Sequence, residues 1–386
     1  MKKNKQQNLF FVSSDPMSIV SFFLPHLRVL SDFGQLHVLA NTLDSNLLIN
    51  RGLTIPIQKV PIQRPINFFY DLLALWILYF KFIKCRPDIV HTLTPKAGLL
   101  GMFAAWLARV PVRVHIFTGQ VWVTKRGPMR WLVKAADKFT ALMATNILVD
   151  GPSQRAFLID QGIVTAERSR VLGAGSVCGV DKTRFHPSDL MRQVVRTELA
   201  TSSETLVCLF LGRLNKDKGV MDLACAFAEV ALIHPYAELW VVGPDEDDWF
   251  QKMEKLLFNV SHQVKRVGFT SEPERYMQAA DLFCLPSYRE GFGSSVIEAA
   301  ACGVPALVSR IYGLNDAVIE GQTGWMHEAG NVKEIAEKLN ALLTNPINLT
   351  NMGGEALRRT EKFFGERALT SEMTKFYREL LDETPI

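Results

Sequence analysis

Short apolar runs that alternate with helix-length segments restrict this chain more than any other feature. They fall at residues 9–12, 36–40, 53–57, 89–92, 112–117, 146–149 and 170–172, then at 205–211, 239–242, 264–267, 281–285 and 305–309. Strands this short and apolar belong in parallel sheets buried on both faces, and amphipathic stretches between them, such as 101–109 and 129–145, become the covering helices. The expected class is α/β, with doubly wound parallel sheets. At 386 residues there is chain enough for two such domains. The polar stretch 185–203 is the expected link between them.

Charge separates the two halves. Residues 1–190 hold 23 Lys and Arg against 11 Asp and Glu, and residues 191–386 hold 20 against 28. A basic first half calls for phosphates or an anionic lipid surface. Nucleic acid would satisfy the same charge, but no recognition motif for it is present. The six cysteines, at 85, 178, 208, 225, 284 and 302, show no paired spacing and no neighbouring histidines. That argues against a disulfide framework or a zinc site, and for a reducing cytoplasm. The basic start, residues 1–5, precedes a strand-length apolar run rather than a secretory core.

Two loops carry candidate chemistry in the second half. In Glu290-Gly291-Phe292-Gly293-Ser294-Ser295-Val296-Ile297-Glu298 a strand runs into a glycine-bearing turn and a short helix. Glycines let the backbone approach a ligand, and the helix start turns free N–H groups and its positive dipole end toward the turn. That makes a seat for an anion or for sugar hydroxyls. The same residues also fit a plain capping box from Ser295 to Glu298, with the glycines as turn punctuation. In Gly212-Arg213-Leu214-Asn215-Lys216-Asp217-Lys218-Gly219, Arg213 and Lys218 stand over a strand's C-terminal end, where open α/β sheets bind ligands. Two separately held cations suit a diphosphate. Asp245-Glu246-Asp247-Asp248 has the spacing of a divalent-metal site, but at a helix start capping is the favoured reading. The first strand-to-helix turn, Ser13-Ser14-Asp15-Pro16, lacks a dinucleotide fingerprint, which counts against nicotinamide or flavin chemistry.

The first half offers surface candidates. Residues 68–84 are the most hydrophobic stretch but fall short of the roughly 20 residues of a membrane span. They read either as a buried helix or as one lying in lipid headgroups, held by aromatics, Lys81 and Lys84. Residues 120–131 read as a loop, with Trp122, Lys125, Arg126 and Trp131 either meeting an anionic membrane, forming a protein–protein surface or merely solvated. Lys96 follows Pro95 at a helix start, where its charge asks for an anionic partner.

In order and spacing, Gly212-Arg213-Leu214…Lys218-Gly219, Val267-Gly268-Phe269 and Glu290-Gly291-Phe292-Gly293…Glu298-Ala299…Gly303-Val304-Pro305 resemble family 4 glycosyltransferases. These are retaining enzymes of the GT-B fold, two Rossmann-like domains facing across a cleft. His91-Thr92…Thr94-Pro95-Lys96-Ala97-Gly98 and Gly175…Gly179-Val180-Asp181 resemble the subgroup that builds capsule, O-antigen and polyprenyl-diphosphate-linked oligosaccharides. The resemblance implies an acceptor domain at 1–190, a nucleotide-sugar domain at 191–365 and a C-terminal helix at 366–386 packing back on the first. Arg213 and Lys218 would bind the donor diphosphate, Glu290 the donor sugar and Glu298 the ribose. Backbone N–H groups after Gly291, at Phe292, Gly293 and Ser294, would touch sugar or phosphate, and the Gly268 loop the base. Arg213, Lys218 and Glu290 are the catalytic candidates; Lys96, Thr118, Trp122, Lys125 and Arg126 are the acceptor-side candidates.

No metal or cofactor is implied. The donor would be a nucleoside-diphosphate sugar, UDP-linked and often N-acetylated. The acceptor would be a lipid-linked or polysaccharide precursor at the cytoplasmic membrane face. Where many members carry a His-Gly pair, this chain reads Thr118-Gly119, and His115 would point to the opposite face of its strand. The glycine pair of the first loop is also missing. A sugar-nucleotide epimerase of the same fold and a non-catalytic binding subunit are the alternative readings.

Overall fold

The structure is a computed structural model describing residues 7–382, and the basic residues 1–5 lie outside them. The chain forms two compact units, Met1–Gly179 with Glu366–Ile386, and Val180–Gly365.

The first unit is built on seven parallel strands: β1 (Gln7–Val12), β2 (Gly34–Ala40), β3 (Ile57–Lys59), β4 (Ile89–Thr92), β5 (Val112–Phe117), β6 (Asn146–Val149) and β7 (Ser169–Val171). Their order across the sheet is β3-β2-β1-β4-β5-β6-β7. Strand alternation explains why both faces need cover. Leu9 and Phe11 of β1 enter one core with Val38, Val114 and Leu27. Phe10 and Val12 enter the other with Leu39, Ala104 and Leu78. The C-terminal helix Glu366–Asp382 completes the first of these cores through Met373, Phe376, Tyr377 and Leu380. Its Tyr377 hydroxyl lies 2.8 Å from His91 Nδ1, and both side chains are buried. The strand expected at 53–57 begins only at Ile57, because the Leu53 N–H closes a turn on Leu48 and Pro56 has no N–H to offer a ladder. The loop expected at 120–131 is also shorter: a 3₁₀ turn spans Val121–Thr124, and a helix starts at Gly127 with Pro128 in its first turn.

The second unit holds six parallel strands: β8 (Leu206–Leu211), β9 (Ala237–Val242), β10 (Val264–Gly268), β11 (Leu282–Leu285), β12 (Ala306–Ser309) and β13 (Gly324–His327). They lie in the order β10-β9-β8-β11-β12-β13. Sequence reading missed β13, a four-residue strand bounded by turns at Gly321 and Gly330. Residues 185–203, expected as the link, belong to this unit. The helix Asp189–Glu198 is bound to the sheet by Arg192 and Arg196, which donate to the two oxygens of Asp281 at 2.6 and 2.7 Å. The division falls instead at Gly179/Val180 and Gly365/Glu366. There Val180 pairs with Gly365, and its N–H donates to the Phe364 carbonyl at 2.7 Å.

In each sheet the strand order reverses once, between β1 and β4 and between β8 and β11. Such reversal points, at the strands' C-terminal ends, are where open α/β sheets place their ligands.

Packing of the helix Pro346–Phe363 on the second sheet gives a paired prediction. A Cβ on Gly353 would overlap the Gly303 carbonyl oxygen, whereas one on Gly354 would meet only the end of Arg358 at ordinary distance. Gly353→Ala should therefore lower stability by about 1–3 kcal/mol. Gly354→Ala should leave it unchanged or raise it by up to about 1 kcal/mol through helix propensity. Calorimetric melting of the two variants checks the contrast.

Candidate active site

The strand reversal between β8 and β11 gathers the charged residues. After β8 the chain makes a 3₁₀ turn, Lys216–Lys218, in which Asn215 Oδ1 accepts the Lys218 N–H at 3.2 Å. Gly219 follows in a left-handed conformation (φ 66°), and a Cβ there would overlap the carbonyl oxygen of Pro286, the residue that follows β11. The two loops thus touch backbone to backbone, an approach only glycine allows. Across the contact Lys218 Nζ donates to Glu290 Oε1 at 2.5 Å, and Ser287 Oγ donates to the same oxygen at 2.7 Å. The two charged side chains keep 20% and 13% of their surface exposed, so the pair is shielded yet reachable. Beside it Arg289 pairs with Asp217 at 3.2 Å, and the Tyr288 hydroxyl donates to Asp222 at 2.7 Å. Burial first, and Asp222 second, push the Tyr288 hydroxyl up to about 12.

Arg213 lies on the same loop but is held sideways. It donates to Glu246 at 2.8 Å, and Asn215 donates to the other Glu246 oxygen at 2.9 Å. The acidic run 245–248 is engaged in structure: Asp245 accepts the N–H groups of Trp249 (2.8 Å) and Phe250 (3.1 Å) and lies 3.4 Å from Arg266. Among the described residues no group of three or more His, Cys, Asp and Glu side chains is placed to hold a metal ion.

The helix after the glycine turn spans Ser294–Ala301 and starts from Gly293 (φ 79°), with no side chain capping it. The capping box is not formed. With Gly293 as the cap residue, Ser295 and Glu298 sit two positions too far along. Among the described residues the Glu298 carboxylate has no hydrogen bond or ion pair, while the residue's backbone carbonyl accepts the Cys302 N–H. It is half-buried, and burial raises its carboxyl to about 7, with Arg184 opposing and Glu274 adding to the rise. Gly291 is pressed by the next loop, since a Cβ on Gly313 would overlap its carbonyl oxygen. The Phe292 ring is 2% exposed and packs edge-on against Phe364, which leaves its backbone N–H, the group expected to face a ligand, as the part available for one. Gly268 (φ 80°) has open space where a Cβ would stand, and its carbonyl accepts the Gly243 N–H at 2.7 Å.

In the first unit the outcome is mixed. At its own strand reversal, Ser14 Oγ lies 2.8 Å from Thr94 Oγ1. Lys96 already has an anionic partner, Asp71 at 2.6 Å, and also donates to the Pro65 carbonyl. Thr118 directly follows β5 and is half-buried, its carbonyl accepting from Gln154 Nε2 at 3.1 Å. His115 is buried against Gly98, with Nδ1 2.7 Å from Thr92 Oγ1, and burial lowers it to about 3. Lys125 and Arg126 are exposed. Trp122 is not a surface anchor. It is fully buried, its Nε1 donates to Asp137 at 2.8 Å, and its ring stacks on Phe157. Local sequence could not reveal this, because the residues that bury it arrive from 15 and 35 positions downstream. Glu246, Ser287 and Asp217 were likewise missed as partners. The one available signal was their position beside the strand ends that carry Arg213, Lys218 and Glu290.

Two doubly wound parallel sheets, with cations and carboxylates gathered at the strand ends of the second, are the architecture expected of the GT-B fold. Comparison with known proteins agrees. Residues 191–359 match the family model "Glycosyl transferases group 1", and residues 49–175 match "Glycosyl transferase 4-like domain". The chain is 28% identical to the capsular polysaccharide biosynthesis glycosyltransferase CapM of Staphylococcus aureus, over 84% of this chain and 85% of that protein. It is 28% identical to the Escherichia coli UDP-Gal:alpha-D-GlcNAc-diphosphoundecaprenol alpha-1,3-galactosyltransferase, over 72% of each. Anabaena HepE, solved in complex with UDP and glucose, shares the fold with a TM-score of 0.80 at 18% identity, over 97% of this chain and 100% of that one. The chain belongs to the group 1, family 4-like glycosyltransferases.

Asp137 supplies a prediction with a defined sign. Burial raises its carboxyl from 3.8 to about 7, against the lowering effect of the Trp122 hydrogen bond. An acid whose folded value lies above its unfolded one costs nothing below about 4, and costs progressively more as pH climbs through 7. Asp137→Asn keeps an acceptor for Trp122 and removes that cost. Relative to wild type, its stability should improve by roughly 2–4 kcal/mol between pH 4 and pH 8, read from denaturant melts of both proteins at the two pH values.

Proposed function

We propose that this glycosyltransferase moves a hexose or N-acetylhexosamine from a nucleoside diphosphate, with retention at the anomeric carbon, to a lipid-linked or polysaccharide-precursor acceptor. It would work at the inner face of the cell membrane. The Lys218–Glu290 pair carries this reading, because it sets a cation and a carboxylate side by side at the second sheet's strand reversal, beside the helix start at Gly293. A diphosphate entering there draws Lys218 to its oxygens and frees Glu290 to accept hydroxyls of the sugar. Arg213, on an exposed pair with Glu246, can swing to the same phosphates. The uncapped N–H groups after Gly293 serve the sugar or phosphate, Glu298 the ribose hydroxyls, and the open loop at Gly268 the base. A uridine donor is favoured by the names of the relatives: UDP-Gal for the E. coli enzyme, UDP in the HepE complex. The lipid-linked acceptor is favoured by the diphosphoundecaprenol in the E. coli enzyme's name.

In the reaction the bond from the anomeric carbon to the phosphate oxygen breaks, and its electron pair leaves with the nucleoside diphosphate. Arg213 and Lys218 stabilise the growing charge, a task that needs no metal. The acceptor hydroxyl attacks from the same face, and its proton passes to a leaving phosphate oxygen. Positioning and charge stabilisation supply the rate.

Labelled UDP-sugars incubated with membrane extract should put label into the lipid fraction. Release of a free, altered sugar, or binding without turnover, would overturn the reading. Arg213→Ala and Lys218→Ala should each cut turnover about a hundredfold, and near-normal rates in both would remove the diphosphate assignment. With its carboxyl at about 7, Glu298 accepts ribose hydroxyls best once ionised. UDP affinity should therefore rise as pH increases through 7, while Glu298→Gln binds about tenfold more weakly with that pH dependence lost. Calorimetric titration at pH 6 and pH 8 checks both.

A further inference from the structure

The helix Phe68–Cys85 is apolar around nearly its whole circumference, yet only one stripe of it, Ala74, Leu78 and Phe82, is buried. These recur every fourth residue and face the sheet. The opposite arc carries Phe69, Leu72, Leu73, Trp76, Phe80 and Ile83, all exposed, with Phe69 at 82% and Phe80 at 62%. A soluble protein ordinarily gives that arc to charged side chains, and a continuous apolar face of this kind marks an interaction surface. The arc runs the length of 18 residues, about 27 Å.

Its surroundings identify the occupant. The helix lies against Pro95–Leu107, which in turn lies against Gly127–Met143. These add exposed Trp106, Trp131 and Leu132, Trp131 at 76%. Residues 64–136 contain eleven Lys and Arg and only two acids, Asp71 and Asp88. Asp71 is paired with Lys96, and Asp88 accepts the Asn8 N–H at 2.7 Å, so neither carboxylate is left to balance the surface cations. Lys84, Lys125, Arg126 and Arg130 are exposed around the aromatic side chains. A second copy packed on this face about a two-fold axis would set that unbalanced charge against itself. Anionic headgroups above acyl chains match both the charge and the aromatic surface.

We propose that this three-helix face lies flat in the headgroup and upper acyl region of an anionic bilayer, with Phe68–Cys85 as an in-plane anchor. The proposal deepens the reading of a membrane-face enzyme and rests on it for its purpose. Its physical test, however, needs neither donor nor acceptor. No helix among the described residues is long and apolar enough to cross a membrane, so attachment of this kind is peripheral.

The test is flotation of the full chain with phosphatidylglycerol/phosphatidylcholine vesicles and with phosphatidylcholine alone. Wild type should float with the anionic vesicles, and less with neutral ones. Trp76→Ser/Phe80→Ser should lower the partition coefficient about tenfold or more with the melting temperature kept. The double variant should also retain its rate on a water-soluble acceptor in detergent. Lys125→Glu/Arg126→Glu should reduce binding to anionic vesicles alone. Wild type that stays unbound, a double variant that floats normally, or a dimer that the double variant abolishes without any vesicle binding would each overturn the proposal. Loss of sugar transfer with flotation intact would count against the glycosyltransferase mechanism and leave the anchor standing.

Discussion

Parallel strands buried on both faces leave no room for polar chemistry except at their ends, and that constraint governs the whole second unit. Helices cover both sides of the sheet, so the loops at the strands' C-terminal edge are the only places where charge can converge. At the reversal between β8 and β11 the loops are drawn together by backbone contact, Gly219 on Pro286 and Gly313 on Gly291. Lys218 and Glu290 then meet at 2.5 Å. A half-buried pair of this kind is a poor source of stability, since each ion gives up water to reach the other. Its value lies in holding two charges ready and mutually neutralised where a ligand can separate them. The neighbouring pairs, Arg289 with Asp217 and Arg213 with Glu246, give the loops the same character. The second unit's candidate site is thus a set of ion pairs, with Lys218–Glu290 shielded between glycine-tight loops and Arg213–Glu246 more open, rather than a patch of unpaired cations.

Much of this was legible in the linear chain, and the reason is physical. A strand covered on both faces is apolar at every position, so 9–12, 206–211 and 282–285 announce themselves without any partner in view. The residues that leave those strands inherit their position from them, which is why Arg213, Lys218 and Glu290 could be placed on one edge. What could not be read were facts fixed by distant partners. Trp122 stands among cations in sequence, but Asp137 takes its indole N–H and Phe157 its ring face. Phe292 sits inside the glycine motif, but Phe364 buries it. The acidic run at 245–248 reads as helix-start capping, and Asp245 does take the Trp249 and Phe250 N–H groups; what local sequence could not show is that Arg266 and Arg213 also engage Asp245 and Glu246. The Asp189–Glu198 helix looks like a polar link until Arg192 and Arg196 are seen to fork Asp281. In each case the local pattern was correct and the long-range contact changed its meaning.

The helix Phe68–Cys85 is the one element that local pattern could not resolve in principle. An apolar helix is apolar either because a core surrounds it or because lipid does, and composition is the same in both. Only the geometry of the sheet separates them. A helix laid on a sheet and beside one neighbour buries a single stripe, here Ala74, Leu78 and Phe82, and the rest of its circumference must be polar or be covered by something outside the unit. The sequence makes it apolar instead. Under the proposed seating on a bilayer that exposed hydrocarbon is covered by lipid, and the shortage of acids from 64 to 136 is the matching adjustment in charge. The two features belong to one design. Aromatic side chains without the cations would favour self-association, and cations without the aromatics would give only salt-sensitive attraction. Together they meet the two requirements of the proposed seating, apolar contact with acyl chains and charge contact with headgroups.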